Sequence, residues 1–263
     1  MIKLIASDID GTLVPDGSDT INPEIYDVIL ALKKKGIIFA AASGRQFASI
    51  EHLFQPIAKE IYYITDGGTV LRDYDKIYSV ATIDTEVARE IARDIIAIPG
   101  CEMVLCGENY SYVLDKTTEM ARWLIDSYHF KVKEIPTIET EVGEPFIKVS
   151  LYHKTSAEKV AEPYFLPKWH GKFQMSCAGV MWIDCIDKYA SKGVKLMGLQ
   201  QQLGITPKET MVFGDNLNDL EMFAEAGCSI AIGNARPEVK AKATRIADTN
   251  VNDGVLKELK KLL

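Results

Sequence analysis

Two aspartates separated by one residue follow the first apolar stretch of the chain. Asp8 and Asp10 come after residues 2–6, a stretch that predicts a strand buried on both faces. Because side chains alternate along a strand, both carboxylates can point the same way. Their repulsion then needs a cation or a shared proton, and a hard ion such as Mg²⁺ takes oxygen ligands. Gly11 permits a sharp turn whose amides can meet an anion, although a plain Asp-Gly turn is the alternative.

A serine, a glycine and an arginine follow the second predicted strand. Residues 37–42 are apolar, and Ser43, Gly44 and Arg45 come next. A predicted helix precedes this strand, so the first two strands should be parallel neighbours. We expect Ser43 beside Asp8 at the carboxyl edge of the sheet, where open α/β folds bind ligands. A serine hydroxyl followed by backbone amides suits a phosphoryl oxygen, and a helix cap is the alternative.

Two segments late in the chain also place charged side chains at the start of a predicted helix or at the end of a predicted strand. Lys192 follows a capping serine and would lie in the first turn of a helix, where a cation opposes the helix dipole. A bound phosphoryl group would offset that cost, and a solvated surface lysine is the alternative. Asp215, Asn218 and Asp219 follow the apolar strand 210–213 and bring oxygens to the sheet edge. A turn and helix cap would use the same residue types.

Taken in order, these segments resemble the motifs of the haloacid dehalogenase-like (HAD) hydrolase superfamily, over essentially the whole chain. The Gly-Arg extension after Ser43 is typical of its Cof-like subgroup. In one departure, Asp66-Gly67 stands where that subgroup usually has Asn-Gly, so contacts on the substrate side are not carried over. The matching segments are Asp8-Ile9-Asp10-Gly11-Thr12, Ser43-Gly44-Arg45, Ser191-Lys192-Gly193, Gly214-Asp215-Asn216-Leu217-Asn218-Asp219 and Gly233-Asn234-Ala235.

The resemblance implies the roles of the acidic residues. Asp8 would attack phosphorus and form an aspartyl phosphate, and Asp10 would act as general acid and then as general base. Mg²⁺ would be held by Asp8, the Asp10 backbone carbonyl and Asp215. Asp219 would keep the groups around the metal in place.

The same resemblance implies a set of phosphate contacts. Ser43 and Lys192 would bind the phosphoryl oxygens, so positioning and electrostatics would supply most of the catalysis. Gly44, Arg45 and Asn218 complete the predicted phosphate- and substrate-binding set.

The order of predicted elements indicates an α/β fold: a Rossmann-like parallel-sheet core of the HAD type, formed by residues 1–81 and 185–263. Between them, residues 82–184 alternate helices with strand pairs, which predicts an inserted α+β domain with its own sheet. Its size and place resemble the C2-type cap of Cof-like phosphatases. A cap of this kind would close to exclude water and would recognise the leaving group.

Composition excludes several other classes. The chain has 263 residues and a net charge of −7, which argues against nucleic acid or an anionic membrane as a partner. We expect no signal peptide, and no apolar run approaches the length of a membrane span. The five cysteines and four histidines show no ligand spacing, so we expect reduced thiols, a cytoplasmic location and no zinc site. The expected state is a monomer or a small homo-oligomer.

Three functions fit these observations. The first is a magnesium-dependent phosphatase of small phosphorylated metabolites, such as sugar phosphates. The second is a phosphomutase on the same core, which would need a second phosphate-binding cluster that the sequence does not show. The third is a non-catalytic binding module, which loss of Asp8, Asp10 or Asp215 would favour, yet all three are present.

Overall fold

Two units make up the structure, a computed structural model that describes residues 1–178 and 180–263. One unit combines Met1–Ser79 with Ser191–Leu263, and the other is Val80–Ala190. The strands are β1 (Leu4–Ser7), β2 (Ile38–Ala42), β3 (Tyr62–Thr65), β4 (Val70–Arg72), β5 (Ile77–Val80), β6 (Cys101–Gly107), β7 (Ser111–Val113), β8 (Val132–Glu134), β9 (Phe146–His153), β10 (Gln174–Ala178), β11 (Trp182–Ile186), β12 (Thr210–Gly214), β13 (Cys228–Ala231) and β14 (Arg245–Ile246). The helices are α1 (Glu24–Lys34), α2 (Phe47–Leu53), α3 (Thr85–Ile96), α4 (Glu119–Asp126), α5 (Ala157–Ala161), α6 (Phe165–Trp169), α7 (Lys192–Leu203), α8 (Leu220–Ala224), α9 (Pro237–Lys240) and α10 (Gly254–Lys260).

The unit that contains both chain ends is built on an eight-stranded sheet in the order β14-β13-β12-β1-β2-β3-β4-β5. Every pair from β14 to β3 is parallel, and β4 runs antiparallel to β3. The predicted α/β fold around a parallel sheet is therefore confirmed. The central strands β12, β1 and β2 lie side by side, so the segments that follow them emerge at one edge of the sheet.

The apolar run at the start of the chain is explained by burial on both faces of this sheet. In β1, Ile5 packs into one hydrophobic cluster, whereas Leu4 and Ala6 pack into the cluster on the other side. All three side chains are completely buried. A strand covered on both faces needs continuous apolar sequence, which is the pattern that the sequence shows.

The unit Val80–Ala190 has its own mixed sheet in the order β10-β11-β9-β6-β7-β8. Its pairs are antiparallel except for β7 with β8. Helix α3 begins after Asp84, whose carboxylate accepts hydrogen bonds from the amides of Glu86 and Val87. The interpretation of residues 82–184 as an inserted cap domain stays a prediction.

Several elements differ from those that the sequence pattern predicts, namely one helix over residues 156–165, strands over residues 172–176 and 180–184, and a closing helix over residues 251–263. The single helix expected from Ser156 to about Phe165 is two helices, α5 and α6, because Pro163 has no N–H for the helical ladder and Tyr164 leaves the helical region at φ −135°. Strand β11 lies two residues later than residues 180–184, since Ile183 and Cys185 supply its core face. The closing helix begins at Gly254 rather than at Val251.

A 3₁₀ turn, Asn250–Asn252, explains that last difference, and Asp253 after it adopts a left-handed conformation. In the described part of the chain, no helix has both the length and the apolar character that a membrane crossing requires.

Candidate active site

Asp8 is the first residue after β1 and is only 5% exposed. Its amide donates to the carbonyl of Phe213 on the neighbouring β12, and its carboxylate accepts a hydrogen bond from Lys192 Nζ at 2.7 Å. The strand ends before Asp8, and Asp10 lies in the turn that follows. The alternation of a strand therefore does not place the two carboxylates, contrary to the expectation from the sequence.

Lys192 is the first residue of α7 and is 1% exposed, so the alternative of a surface lysine is wrong. Its ammonium donates to Asp8 Oδ1 at 2.7 Å and to Asp219 Oδ1 at 2.8 Å. Burial alone would lower the pKa of Lys192, but the charges of Asp219 and Asp8 outweigh it and raise that pKa above its ordinary value. The lysine is therefore charged at the site.

Glycines allow the start of α7 to approach its neighbours closely. The Ser191 hydroxyl accepts a hydrogen bond from the Val194 amide and caps the helix. Gly68 lies against the backbone of Ser191 at φ +97°, and any Cβ there would overlap that backbone. A Cβ on Gly193 would lie 2.7 Å from the Glu221 backbone. These contacts fix where the lysine side chain begins.

The loop after β12 is held by Asp219, which is completely buried. Its Oδ2 accepts from the amides of Asp215 and Asn216 at 3.0 and 3.1 Å, and its Oδ1 accepts from Lys192. Gly214 leaves room for this carboxylate, since a Cβ there would lie 2.5 Å from the Asp219 side chain. Asp219 thus connects the loop after β12 to Lys192 through hydrogen bonds.

Asp215 meets the turn that follows Asp8. Its Oδ1 accepts a hydrogen bond from the Thr12 hydroxyl at 2.8 Å. Gly11 adopts φ +80°, and a Cβ on it would lie 2.5 Å from the Asp215 carboxylate. Only glycine permits this approach without strain.

Asp8, Asp215 and Asp219 each offer a carboxylate oxygen, and these oxygens lie within 4.8 Å of one another. Burial raises the pKa of Asp8 well above its ordinary value, and the charge of Asp219 adds to the rise. Burial and Asp219 also raise the pKa of Asp215 to about 6. Such crowding of hard oxygen donors fits a divalent cation such as Mg²⁺. Both oxygens of Asp219 are already engaged, so Asp8 and Asp215 fit the ligand role better.

Asp10 lies outside that trio of carboxylates. Arg45 donates from Nε to Asp10 Oδ2 at 2.8 Å and from Nη2 to Asp10 Oδ1 at 2.6 Å. The Gly17 amide also donates to Oδ1, at 3.2 Å. The structure therefore brings Arg45 to the predicted acid/base residue, whereas the sequence suggested a contact with substrate phosphate.

Ser43 and Gly44 lie at the carboxyl end of β2, next to β1, in the register that pairs Ser7 with Ala41. Ser43 is buried, and its hydroxyl accepts from the Arg45 amide at 3.1 Å. It does not cap α2, whose N-cap is Gln46, so the helix-cap alternative is wrong.

Asn218 lies in the 3₁₀ turn Leu217–Asp219. Its side-chain Oδ1 is buried and has no hydrogen-bond partner among the described residues. Such an orphaned acceptor is costly unless a ligand or water satisfies it.

Sequence reasoning assigned no role to two residues that complete the geometry. Thr12 binds Asp215, and Asn234 donates from Nδ2 to the Gly11 carbonyl at 2.7 Å. Both residues belong to matching segments, Thr12 directly after the Asp-x-Asp-Gly turn and Asn234 in the Gly-Asn-Ala turn. Their positions in these segments could have marked them as site residues. Their hydrogen-bond partners could not be predicted, because those partners are distant in sequence.

Residues 5–259 match the haloacid dehalogenase-like hydrolase family, and the chain belongs to that family. A crystal structure from Eubacterium rectale is 40% identical, with a TM-score of 0.89 over 100% of this chain and 99% of that one. The HAD subclass IIB sugar phosphatase BT4131 is 25% identical, with a TM-score of 0.84 over 99% and 98%. The 5-amino-6-(5-phospho-D-ribitylamino)uracil phosphatase YbjI of Escherichia coli strain K12 is 29% identical over 100% of this chain and 96% of its own.

These findings confirm the family prediction and, at the level of class, the prediction of a HAD-type phosphatase, because the relatives are named as phosphatases. They do not assign individual site residues.

Proposed function

We propose that the protein is a magnesium-dependent phosphatase of small phosphorylated metabolites that works through an aspartyl phosphate on Asp8. The observation that carries this proposal is the buried Asp8 carboxylate, bound by Lys192 at 2.7 Å and crowded by Asp215 and Asp219. A nucleophilic carboxylate, a fixed ammonium and oxygen ligands for a divalent cation are the parts that in-line phosphoryl transfer requires.

The reaction would take place in two steps. An Asp8 oxygen forms a bond to phosphorus while the bond from phosphorus to the alcohol oxygen breaks, and Asp10 gives that oxygen a proton. Asp10 then takes a proton from water, whose oxygen attacks the phosphorus and releases Asp8 and inorganic phosphate. Lys192 places positive charge where negative charge collects, and Asp219 keeps the ammonium there.

Asp8, the backbone carbonyl of Asp10 and Asp215 would hold magnesium. When bound, the ion would neutralise negative charge on the phosphoryl oxygens. Ser43, Gly44 and Asn218 are proposed phosphoryl contacts. The orphaned Asn218 Oδ1 is an acceptor, so it supports a donor beside it, such as a water or a substrate hydroxyl, and the phosphoryl contact would come from the Nδ2 donor of the same amide.

The substrate is proposed at the level of class. One relative is named for a phosphorylated ribitylaminouracil and another is named a sugar phosphatase. We therefore propose phosphomonoesters of polyols and sugars as the first substrates to test. A cytoplasmic location, and a monomeric or small homo-oligomeric state, stay predictions.

The test is phosphate release from a panel of phosphorylated metabolites, with magnesium and with a chelator, for wild type and Asp8→Asn. We expect turnover of at least one sugar or polyol phosphate that needs magnesium and is lost in Asp8→Asn. A folded wild-type protein that releases phosphate from no compound would overturn the proposal.

A further inference from the structure

The Asp10 carboxylate is held in a bidentate contact by one arginine. Arg45 Nε and Nη2 donate to the two carboxylate oxygens at 2.8 and 2.6 Å. A paired contact of this kind is charge-assisted and fixes the plane of the carboxylate. The Arg45 side chain is 3% exposed, whereas that of Asp10 is 27% exposed. The arginine is thus the buried, anchored partner.

Backbone groups of the following loop complete this contact. Arg45 Nη2 also donates to the Ser18 carbonyl at 2.7 Å, and the Gly17 amide donates to Asp10 Oδ1 at 3.2 Å. We call Asp10, Arg45, Gly17 and Ser18 the Asp10 clamp. Since Asp10 lies beyond the end of β1, the clamp supplies the orientation that the sheet does not.

The arginine is itself held by its backbone. Its amide donates to Ser43 Oγ at 3.1 Å, and its carbonyl accepts from the Asp66 amide at 3.0 Å. The loops after β2 and β3 therefore meet at Arg45. These contacts fix the backbone at Arg45, and the burial of its side chain restricts the rotamers that the guanidinium can adopt.

We propose that Arg45 is a positioning residue for the general acid/base Asp10 and that it does not bind the substrate phosphoryl group. A guanidinium has two edges that can make a paired contact with a phosphoryl group, Nε–Nη2 and Nη1–Nη2. Asp10 occupies the first edge, and the Ser18 carbonyl takes the remaining Nη2 hydrogen that the second edge would need. Each carboxylate oxygen has two lone-pair sites. Among the described residues, Oδ1 accepts from both Arg45 Nη2 and the Gly17 amide, whereas Oδ2 accepts only from Arg45 Nε, so the clamp leaves a site on Oδ2 for the proton that Asp10 gives and takes. The proposal rests on the proposed function.

The first test separates turnover from binding in Arg45→Ala. We expect kcat with the best phosphomonoester of the panel to fall about 100-fold, because a misplaced acid/base loses most of its contribution. KM, and the affinity for inorganic phosphate by calorimetry in magnesium buffer, should stay within about threefold of wild type. Guanidinium added to Arg45→Ala should restore part of kcat. The kcat of Arg45→Lys should stay below that of wild type, since an ammonium cannot make the paired contact.

The second test is a double-mutant cycle with Asp10→Asn. If Arg45 acts through Asp10, the loss from Arg45→Ala should largely disappear in the Asp10→Asn background. Additive losses, or a rise of tenfold or more in KM and in the phosphate dissociation constant at unchanged kcat, would overturn the proposal.

Two controls make these results interpretable. Arg72 is a partly buried arginine that donates to the backbone carbonyls of Asp73 and Tyr74, so Arg72→Ala should keep wild-type kcat. Thermal unfolding identifies variants that fail to fold. If Arg45→Ala fails to fold, Arg45→Lys takes its place, and its kcat should fall while its KM and its phosphate affinity stay within about threefold of wild type. If the proposed function is wrong, the wild type itself will release no phosphate. If only this inference is wrong, the wild type will be active, and the kcat and KM of the Arg45 variants relative to wild type will differ from those expected above.

Discussion

Two aspartate–cation pairs lie at the site, and they differ in burial and in geometry. The Asp8 side chain is 7% exposed and binds Lys192, whose ammonium is shared with Asp219. Asp10 keeps 27% of its side-chain surface exposed and takes one whole edge of Arg45. An ammonium is a compact charge that a further carboxylate can share, whereas a guanidinium fixes the plane of one carboxylate.

The difference fits two chemical tasks. A nucleophile benefits from a dry, fixed environment, where charge interactions are strong and need no reorganisation during the reaction. An acid/base must exchange protons with a leaving group and with water, so it needs orientation without complete burial. The two pairs can be separated by experiment.

The largest expected contrast is in activity. Asp8→Asn removes the proposed nucleophile, and we expect kcat to fall by more than about 10⁴-fold, because the proposed covalent intermediate could not form. Asp10→Asn should cost about 10² to 10⁴-fold, the usual contribution of general acid–base catalysis. Steady-state phosphate release measures both. Equal losses would remove the distinction between the two aspartates.

The second contrast is in stability. Lys192→Met leaves Asp8 and Asp219 as buried carboxylates without their cation, and we expect the free energy of unfolding to fall by about 3–5 kcal/mol. Arg45→Met leaves Asp10, which water already reaches, so its cost should not exceed about 2 kcal/mol. Urea unfolding of the metal-free proteins checks the difference. A larger loss of stability in Arg45→Met than in Lys192→Met would show that burial does not determine which pair contributes more to stability.

Much of the buried pair was predictable. The continuous apolar run before Asp8 required a doubly covered strand, and a capping serine required a helix at Lys192. Because parallel strands end at one edge, the strand-end segments had to approach each other. An isolated cation at a helix start also signalled a nearby anion, which the structure supplies as two carboxylates.

The Asp10 clamp was not predictable in the same way. Arg45 can reach several anions from one backbone position, and its partner depends on the path of the loop at Gly17 and Ser18. No periodicity describes such a loop. The break in the helix at Pro163, in contrast, could have been read from the proline alone.

A third contrast tests how Lys192 reaches Asp8. Gly68→Ala forces a Cβ into the Ser191 backbone at φ +97°, and we expect about 3 kcal/mol of destabilisation with a lowered kcat. Gly36→Ala is the matched control, because Gly36 has φ +80° and open space around it, so only the conformational cost of about 1 kcal/mol applies. A Gly68→Ala protein that behaves like Gly36→Ala would contradict the close approach.

The smallest expected contrast between the two aspartate–cation pairs is in the pH dependence of stability. The folded-state pKa of Asp215 is raised to about 6 from the ordinary 3.8, so its contribution to stability is complete below about pH 4 and is lost as the pH rises through 6. In metal-free protein, we expect the free energy of unfolding to fall by about 2 kcal/mol over this range, after discounting for partial exposure. Asp215→Asn should reduce that slope, to which the raised pKa of Asp8 also contributes in the same direction, whereas Arg45→Met should leave it unchanged. Denaturant titrations at several pH values measure it, and an equal slope in Asp215→Asn would show that the crowded carboxylates do not set it.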